Sequence, residues 1–280
     1  MGLIADILLG AVLVYTGICV LYFLFQEKFI FVPSWPHESF ESSLTVPVEQ
    51  FHLSTPHRGK IHAIHLKPAN PRGIILYFHG NTGTLRRWQF MAEELALRGF
   101  EVVAMDYRGY GLSQGPRREA WMHRDAEAVW DHVEGWGSGL PLIIYGRSLG
   151  TGFATRLASR RKASGLVLET PFANLVHVAS FYLPMLPVRF LLRYRLASDE
   201  HIRKVECPIL ILHGTRDLVV PHSSALRLFR AADGRSSVRM VTIVGGKHSN
   251  LNSFPIFHEH LGEFLDEAAN ANRNPSRGLK

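Results

Sequence analysis

The chain has 280 residues, 46% hydrophobic and 20% charged, with 31 Lys and Arg against 24 Asp and Glu for a net charge of +7. That is enough apolar material for one sizeable core, and it excludes a disordered chain. The basic residues fall in short scattered groups (Arg86-Arg87, Arg117-Arg118, Arg160-Arg161-Lys162) with no zinc finger, helix-turn-helix or aromatic-basic signature, so nucleic acid is not an expected partner.

Residues 7–25, ILLGAVLVYTGICVLYFLF, are 19 consecutive residues without a charge. As a helix they span roughly 30 Å, the thickness of a bilayer's hydrocarbon core. No Lys or Arg precedes the run and no Ala occurs between Ala11 and Ala63, which argues against a cleaved signal peptide. The expectation is an N-terminal transmembrane anchor over 1–32, with Tyr22, Phe23, Phe25 and Trp35 as interfacial aromatics. Lys28 is the only Lys or Arg flanking the run before Arg58, which leaves its orientation open. Cys19 and Cys207 cannot build a disulfide framework and are expected as free thiols.

Residues 33–47, rich in Pro and Ser, read as a linker to a domain over 48–270, with 271–280 as a polar tail. EQFHLST and GKIHAIHLKP alternate and predict a β-hairpin around Pro56–Gly59. Continuous apolar runs then recur at 73–80, 100–107, 141–146, 165–170, 208–214 and 238–246. Helical periodicity fills about 84–98, 119–135, 150–162, 222–232 and 252–269. Strands apolar on both faces, alternating with helices, predict an α/β fold with a mostly parallel sheet covered on both sides. Ligands of such sheets bind at the carboxyl ends of the strands.

One strand ends in Gly146-Arg147-Ser148-Leu149-Gly150, a G-x-S-x-G motif. Its bland reading is a tight strand-to-helix turn; its functional reading is a nucleophile elbow that lifts one hydroxyl above the sheet. A nucleophilic serine needs a base and an acid, and other strand ends supply them. Asp217 follows PILILHG and His248 follows VRMVTIVGG, in the order Ser148, Asp217, His248 expected of such a set. Asp106 also ends a strand and is the rival acid, but DYRGYGLSQG reads as a turn held by its carboxylate. The oxyanion hole is expected from the N–H of Leu149 and one from HGNTGT, with Asn81 as the second donor. No H-E-x-x-H or Cys/His cluster occurs, so neither a metal nor another cofactor is expected. RGYGLSQG is a poor dinucleotide fingerprint, and GRSLGTG lacks the ending of a phosphate-binding loop.

Taken together, YFHGNTGT, DYRGYGLSQG, YGRSLGTG, ILHGTRDLVVP and GGKHSN resemble the α/β-hydrolase superfamily, and more narrowly its membrane-anchored Bem46-type serine hydrolases, relatives of the depalmitoylating thioesterases. The resemblance covers roughly residues 45–268. It implies an eight-stranded α/β-hydrolase sheet and a bacterial inner-membrane location, and carries nucleophile, acid and base onto Ser148, Asp217 and His248. Lys247 departs from the small residue usual before the histidine, and Arg147 has no assigned role.

Between the strands at 165–170 and 208–214 the alternation breaks over about 171–206. This stretch includes FYLPMLPVRFLLRYRLAS, apolar with arginines interleaved, and reads either as an ordinary helix pair or as a small helical lid. The function expected is hydrolysis of carboxylic esters or thioesters, of acyl or lipid-like type, beside a membrane. Peptidase or amidase chemistry with the same triad is the alternative, and a non-catalytic, membrane-tethered binding protein is a further one.

Overall fold

Each of the six apolar runs between 73 and 246 becomes a strand, and together with the two strands of the hairpin they form one eight-stranded sheet. The computed structural model describes residues 2–33, 40, 43–232 and 237–270, so Trp35, most of the expected linker's first half and the expected tail lie outside the described residues. Strands β1 (Val48–Thr55) and β2 (Gly59–Leu66) form the predicted hairpin. After them come β3 (Ile74–Phe78), β4 (Glu101–Met105), β5 (Leu142–Arg147), β6 (Gly165–Glu169), β7 (Ile209–Gly214) and β8 (Val238–Ile243). The order across the sheet is β1-β2-β4-β3-β5-β6-β7-β8. Only β2 opposes its neighbours, and β3 to β8 are parallel.

Helix α1 is Gly2–Ile30; α2 (Leu85–Leu97), α3 (Glu119–Glu134) and α4 (Leu149–Ala158) follow. The interrupted stretch holds three short helices, α5 (Leu175–Tyr182), α6 (Val188–Leu191) and α7 (Ser198–His201). Then come α8 (His222–Ala231) and α9 (Pro255–Asn270). Alternate residues of β3 feed two cores. Leu76 and Phe78 pack with Trp130 of α3, Phe153 of α4 and Leu228 of α8. Ile75 and Tyr77 pack with Trp88 of α2 and Phe264 of α9. Burying each such side chain contributes about 1.5–3 kcal/mol, which fixes the register and hence where each strand's carboxyl end falls.

Helix α1 is long and apolar enough to cross a membrane. At ~1.5 Å per residue its 29 residues run for roughly 43 Å. Its C-terminal end is fastened to the rest of the chain. The buried Gln26 donates to Leu191 O (3.0 Å) and accepts from Arg193 N (2.7 Å), and Tyr194 Oη donates to Glu27 (2.8 Å). Phe31 is buried against Tyr110 and Tyr194, and Val32 pairs with the loop after β3, its N–H on Asn81 O (2.9 Å) and its carbonyl accepting from Gly83 N (3.1 Å).

Candidate active site

Ser148 sits between β5 and α4 with φ 49° and ψ −116°, a backbone conformation that costs a non-glycine residue about 1–3 kcal/mol. The surroundings enforce it. Ser148 N–H donates to Glu169 O on β6 (2.9 Å), and Ser148 O accepts from the backbone and hydroxyl of Thr151 (2.9 and 2.6 Å). Both motif glycines are required by close approach. A Cβ on Gly146 would stand 2.6 Å from Ala154 Cβ and 2.7 Å from Gly150 O, and one on Gly150 would collide with the backbone of Phe78.

Asp217 and His248 come to the same place from the ends of β7 and β8. Ser148 Oγ lies 2.9 Å from His248 Nε2, and Asp217 Oδ2 lies 2.7 Å from His248 Nδ1. The other carboxylate oxygen accepts from the N–H groups of Val219 and Val220, each at 2.8 Å. Burial pushes the Asp217 carboxyl up, but the His248 bond and charge and the two N–H bonds outweigh it and hold the group below the usual carboxylate range. An ionised acid therefore orients an imidazole whose far nitrogen faces a hydroxyl. The rival Asp106 makes no part of this chain. Its Oδ1 accepts from Leu85 N, the first residue of α2 (3.0 Å), as the turn reading expects. Lys247 is exposed.

Leu149 opens α4, where the leading N–H groups have no intrahelical acceptor. Asn81 lies in the loop after β3, its carbonyl held by Tyr110 Oη (2.7 Å) and Val32 N. Both residues border the cavity that Ser148 opens into.

Sequence reasoning missed a buried network under the elbow. Arg147 pairs with Glu169 (3.3 Å), its register partner on β6, and Tyr145 Oη donates to the same carboxylate (2.8 Å). The Arg147 guanidinium also lies 5.1 Å from the Trp88 ring, whose Nε1–H donates to Thr82 O in the Asn81 loop (2.7 Å). Burial pulls the Arg147 charge down, and Glu169 more than restores it. The available signal was Glu169 itself, a carboxylate ending a strand that is otherwise apolar.

A cavity of about 860 Å³ rises from Ser148. Its walls are almost wholly apolar: Phe172, Leu175, Val178 and Leu186 on one side, Leu21, Tyr22 and Phe25 of α1 on the other.

The sheet order and the strand-to-helix turn at Ser148 are those of an α/β-hydrolase fold. The esterase Pf2001 of Pyrococcus furiosus superposes with a TM-score of 0.68 at 19% identity, covering 84% of this chain and 98% of that one. Acetyl xylan esterase 1 from Thermoanaerobacterium superposes at 0.65, also with 19% identity, over 82% and 86% of the two chains. The family described as "Serine aminopeptidase, S33" matches residues 69–198. Among curated proteins, lysophosphatidylserine lipase ABHD12 of Mus musculus is 32% identical over 233 residues, 71% of this chain and 57% of that protein. The protein MT2364 of Mycobacterium tuberculosis is 33% identical over 197 residues, 70% of each. The chain thus belongs to the α/β-hydrolase superfamily of serine hydrolases, and it spans little more than half the length of the ABHD12 lipases it matches.

Proposed function

We propose that the protein is a membrane-anchored, single-pass serine hydrolase that cleaves carboxylic esters or thioesters with acyl or lipid-like chains. The observation that carries this reading is the hydrogen-bonded series Ser148–His248–Asp217 at the floor of an apolar cavity.

In this mechanism Ser148 Oγ attacks the carbonyl carbon and His248 Nε2 takes its proton, while Asp217 stabilises the imidazolium. The N–H groups of Leu149 and Asn81 hold the oxyanion, each contributing on the order of 10²–10³ in rate. Collapse breaks the bond to the alcohol or thiol, which leaves with the proton from His248. Water then attacks the acyl-enzyme by the same route and releases the acid. Arg147, Glu169 and Trp88 are positioning residues that hold the elbow and the Asn81 loop in register. The apolar cavity favours esters over peptides, because a peptide backbone there would lose its hydrogen-bond partners.

The test is labelling by a fluorophosphonate probe in mild detergent, followed by a panel of matched acyl esters, thioesters and amides. Wild type is expected to label, Ser148→Ala to lose labelling and hydrolysis together, and esters to be preferred to amides. A folded wild type that does not label, or labels equally in the variant, removes the reading.

A further inference from the structure

The cavity above Ser148 has walls of two origins, and one of them is the anchor. Ile18, Leu21, Tyr22, Phe25 and Phe29 stand on one face of α1 and line it, opposite α5 residues such as Ala179 and Tyr182. On that same helix face Gln26 binds the lid backbone at Leu191 and Arg193. Eleven residues earlier, roughly 16 Å nearer the N-terminus, Tyr15 Oη donates to Met185 O at 2.9 Å. The lid between β6 and β7 therefore runs beside α1 as far as the middle of the uncharged run 7–25.

When that run lies in hydrocarbon, the tip of the lid lies in it too. Three observations fit this placement. Met185 and Phe190 are 81% and 83% exposed, and Leu218, beside Asp217, is 85% exposed. Tyr182 Oη donates to Leu218 O at 2.5 Å, which joins the lid and the Asp217 loop into one apolar face. Such a face is costly in water and matched in a bilayer. The non-helical turn 183–187 has several of its polar groups served: Leu183 N donates to Ala179 O, Leu186 N to Leu183 O, Met185 O accepts from Tyr15, and Pro184 and Pro187 bring no N–H. Backbone at membrane depth needs such partners.

We propose that the lid dips into one leaflet and that a membrane-resident ester slides its acyl chain sideways between α1 and α5, so the anchor helix is itself a wall of the acyl site. This rests on the ester-hydrolase reading above. The occupant is a single acyl chain. It exchanges the apolar surroundings of the bilayer for those of the cavity, so the chain need not cross water while its carbonyl reaches Ser148.

The test uses the full chain in phosphatidylcholine vesicles with two fluorophosphonates, one ethyl and one hexadecyl, the latter with a diazirine midway along its tail. Each forms a Ser148 Oγ–P bond with loss of fluoride, the serine proton passing to His248. After irradiation, crosslinks are expected on α1 at Ile18, Leu21 or Phe25 and on α5. The hexadecyl probe should label Ser148 about tenfold faster than the ethyl probe or more, because each buried methylene adds affinity. Ala179→Trp, which narrows the space between α5 and α1, should cut this long-to-short ratio by about fivefold. Labelled Ser148 with crosslinks that avoid α1, in wild type, overturns the proposal and leaves the ester reading standing. Absence of Ser148 labelling by both probes overturns the two together.

Discussion

Asp106 at the end of β4 and Asp217 at the end of β7 are built alike and put to different uses. Each is buried and faces a strand-ending His-Gly pair whose imidazole Nδ1 binds the following carbonyl, His79 on Gly80 O (2.7 Å) and His213 on Gly214 O (3.0 Å). The Nε2 of each imidazole faces its carboxylate, at 3.2 and 3.6 Å. In both acids one oxygen accepts backbone N–H, from Leu85 at Asp106 and from Val219 and Val220 at Asp217. Each also has a second histidine on its other oxygen, His62 at 3.8 Å and His248 at 2.7 Å. The difference lies one bond further out. His62 is fully enclosed and its Nε2 meets Gln50 Oε1 (3.0 Å), whereas His248 is partly open and its Nε2 meets Ser148 Oγ (2.9 Å). In the proposed mechanism the Asp217–His248 pair acts in catalysis because its far nitrogen faces a nucleophile at a cavity, whereas the Asp106–His62 pair clamps strands together.

The sharpest way to break this comparison is to neutralise each acid in turn. Asp217→Asn is expected to lower kcat for ester hydrolysis by about 10⁴, since the imidazole loses its orienting charge. The fold should survive, because the asparagine carbonyl still accepts from Val219 and Val220. Steady-state kinetics beside a thermal unfolding curve checks both parts, and a rate within about tenfold of wild type would be incompatible with the triad role.

Asp106→Asn should do the reverse. Burial pushes the Asp106 carboxyl up, but His62 and His79 hold it below the usual range, so the native fold depends on the ionised form. Removing that charge while leaving its buried partners is expected to cost about 3 kcal/mol of stability, seen as an earlier unfolding midpoint in urea. The rate per folded molecule should stay within a few-fold of wild type. An unchanged midpoint with lost turnover would make Asp106 a working part of the chemistry and end the division drawn here.

The two acids also mark how far the sequence could be read. Strands, helices and the order Ser148, Asp217, His248 were legible because each rests on local pattern: apolar runs of strand length, glycines at turns, and polar residues just past strand ends. Asp106 was separable from Asp217 by the glycines around it, and Gly111 does sit against its carboxylate. What stayed hidden depends on contacts between distant segments. Arg147 meets Glu169 across two strands, and nothing near either residue names the other. Pro184 and Pro187 separate α5 from α6 in the stretch between β6 and β7, yet the packing of that stretch beside α1 has no local signature, since a run apolar on every face does not say which face meets protein. Gln26 was the clue: an amide at the end of that run needs a partner, and it has one in the backbone at Leu191 and Arg193.

A finer version of the comparison concerns His213, the imidazole behind Asp217. Burial, against the pull of Asp217, pushes its pKa down to about 4, so it is neutral in the folded protein near pH 7. A histidine in the unfolded chain titrates near 6.5, so between these values the unfolded state binds a proton that the folded state does not. The stability this group contributes is complete above about pH 6.5 and is lost as pH falls towards 4, amounting to about 2 kcal/mol by pH 5. His201, also pushed down to about 4, by its own burial first, acts in the same direction, so the wild-type slope sums at least two groups. His213→Asn isolates one of them, because an amide there keeps a donor for Gly214 O and has no proton to gain. Its unfolding midpoint should fall less than that of wild type between pH 7 and pH 5. Equal slopes in the two proteins would mean that His213 is already charged beside Asp217, a partner of the carboxylate and not a neutral spacer.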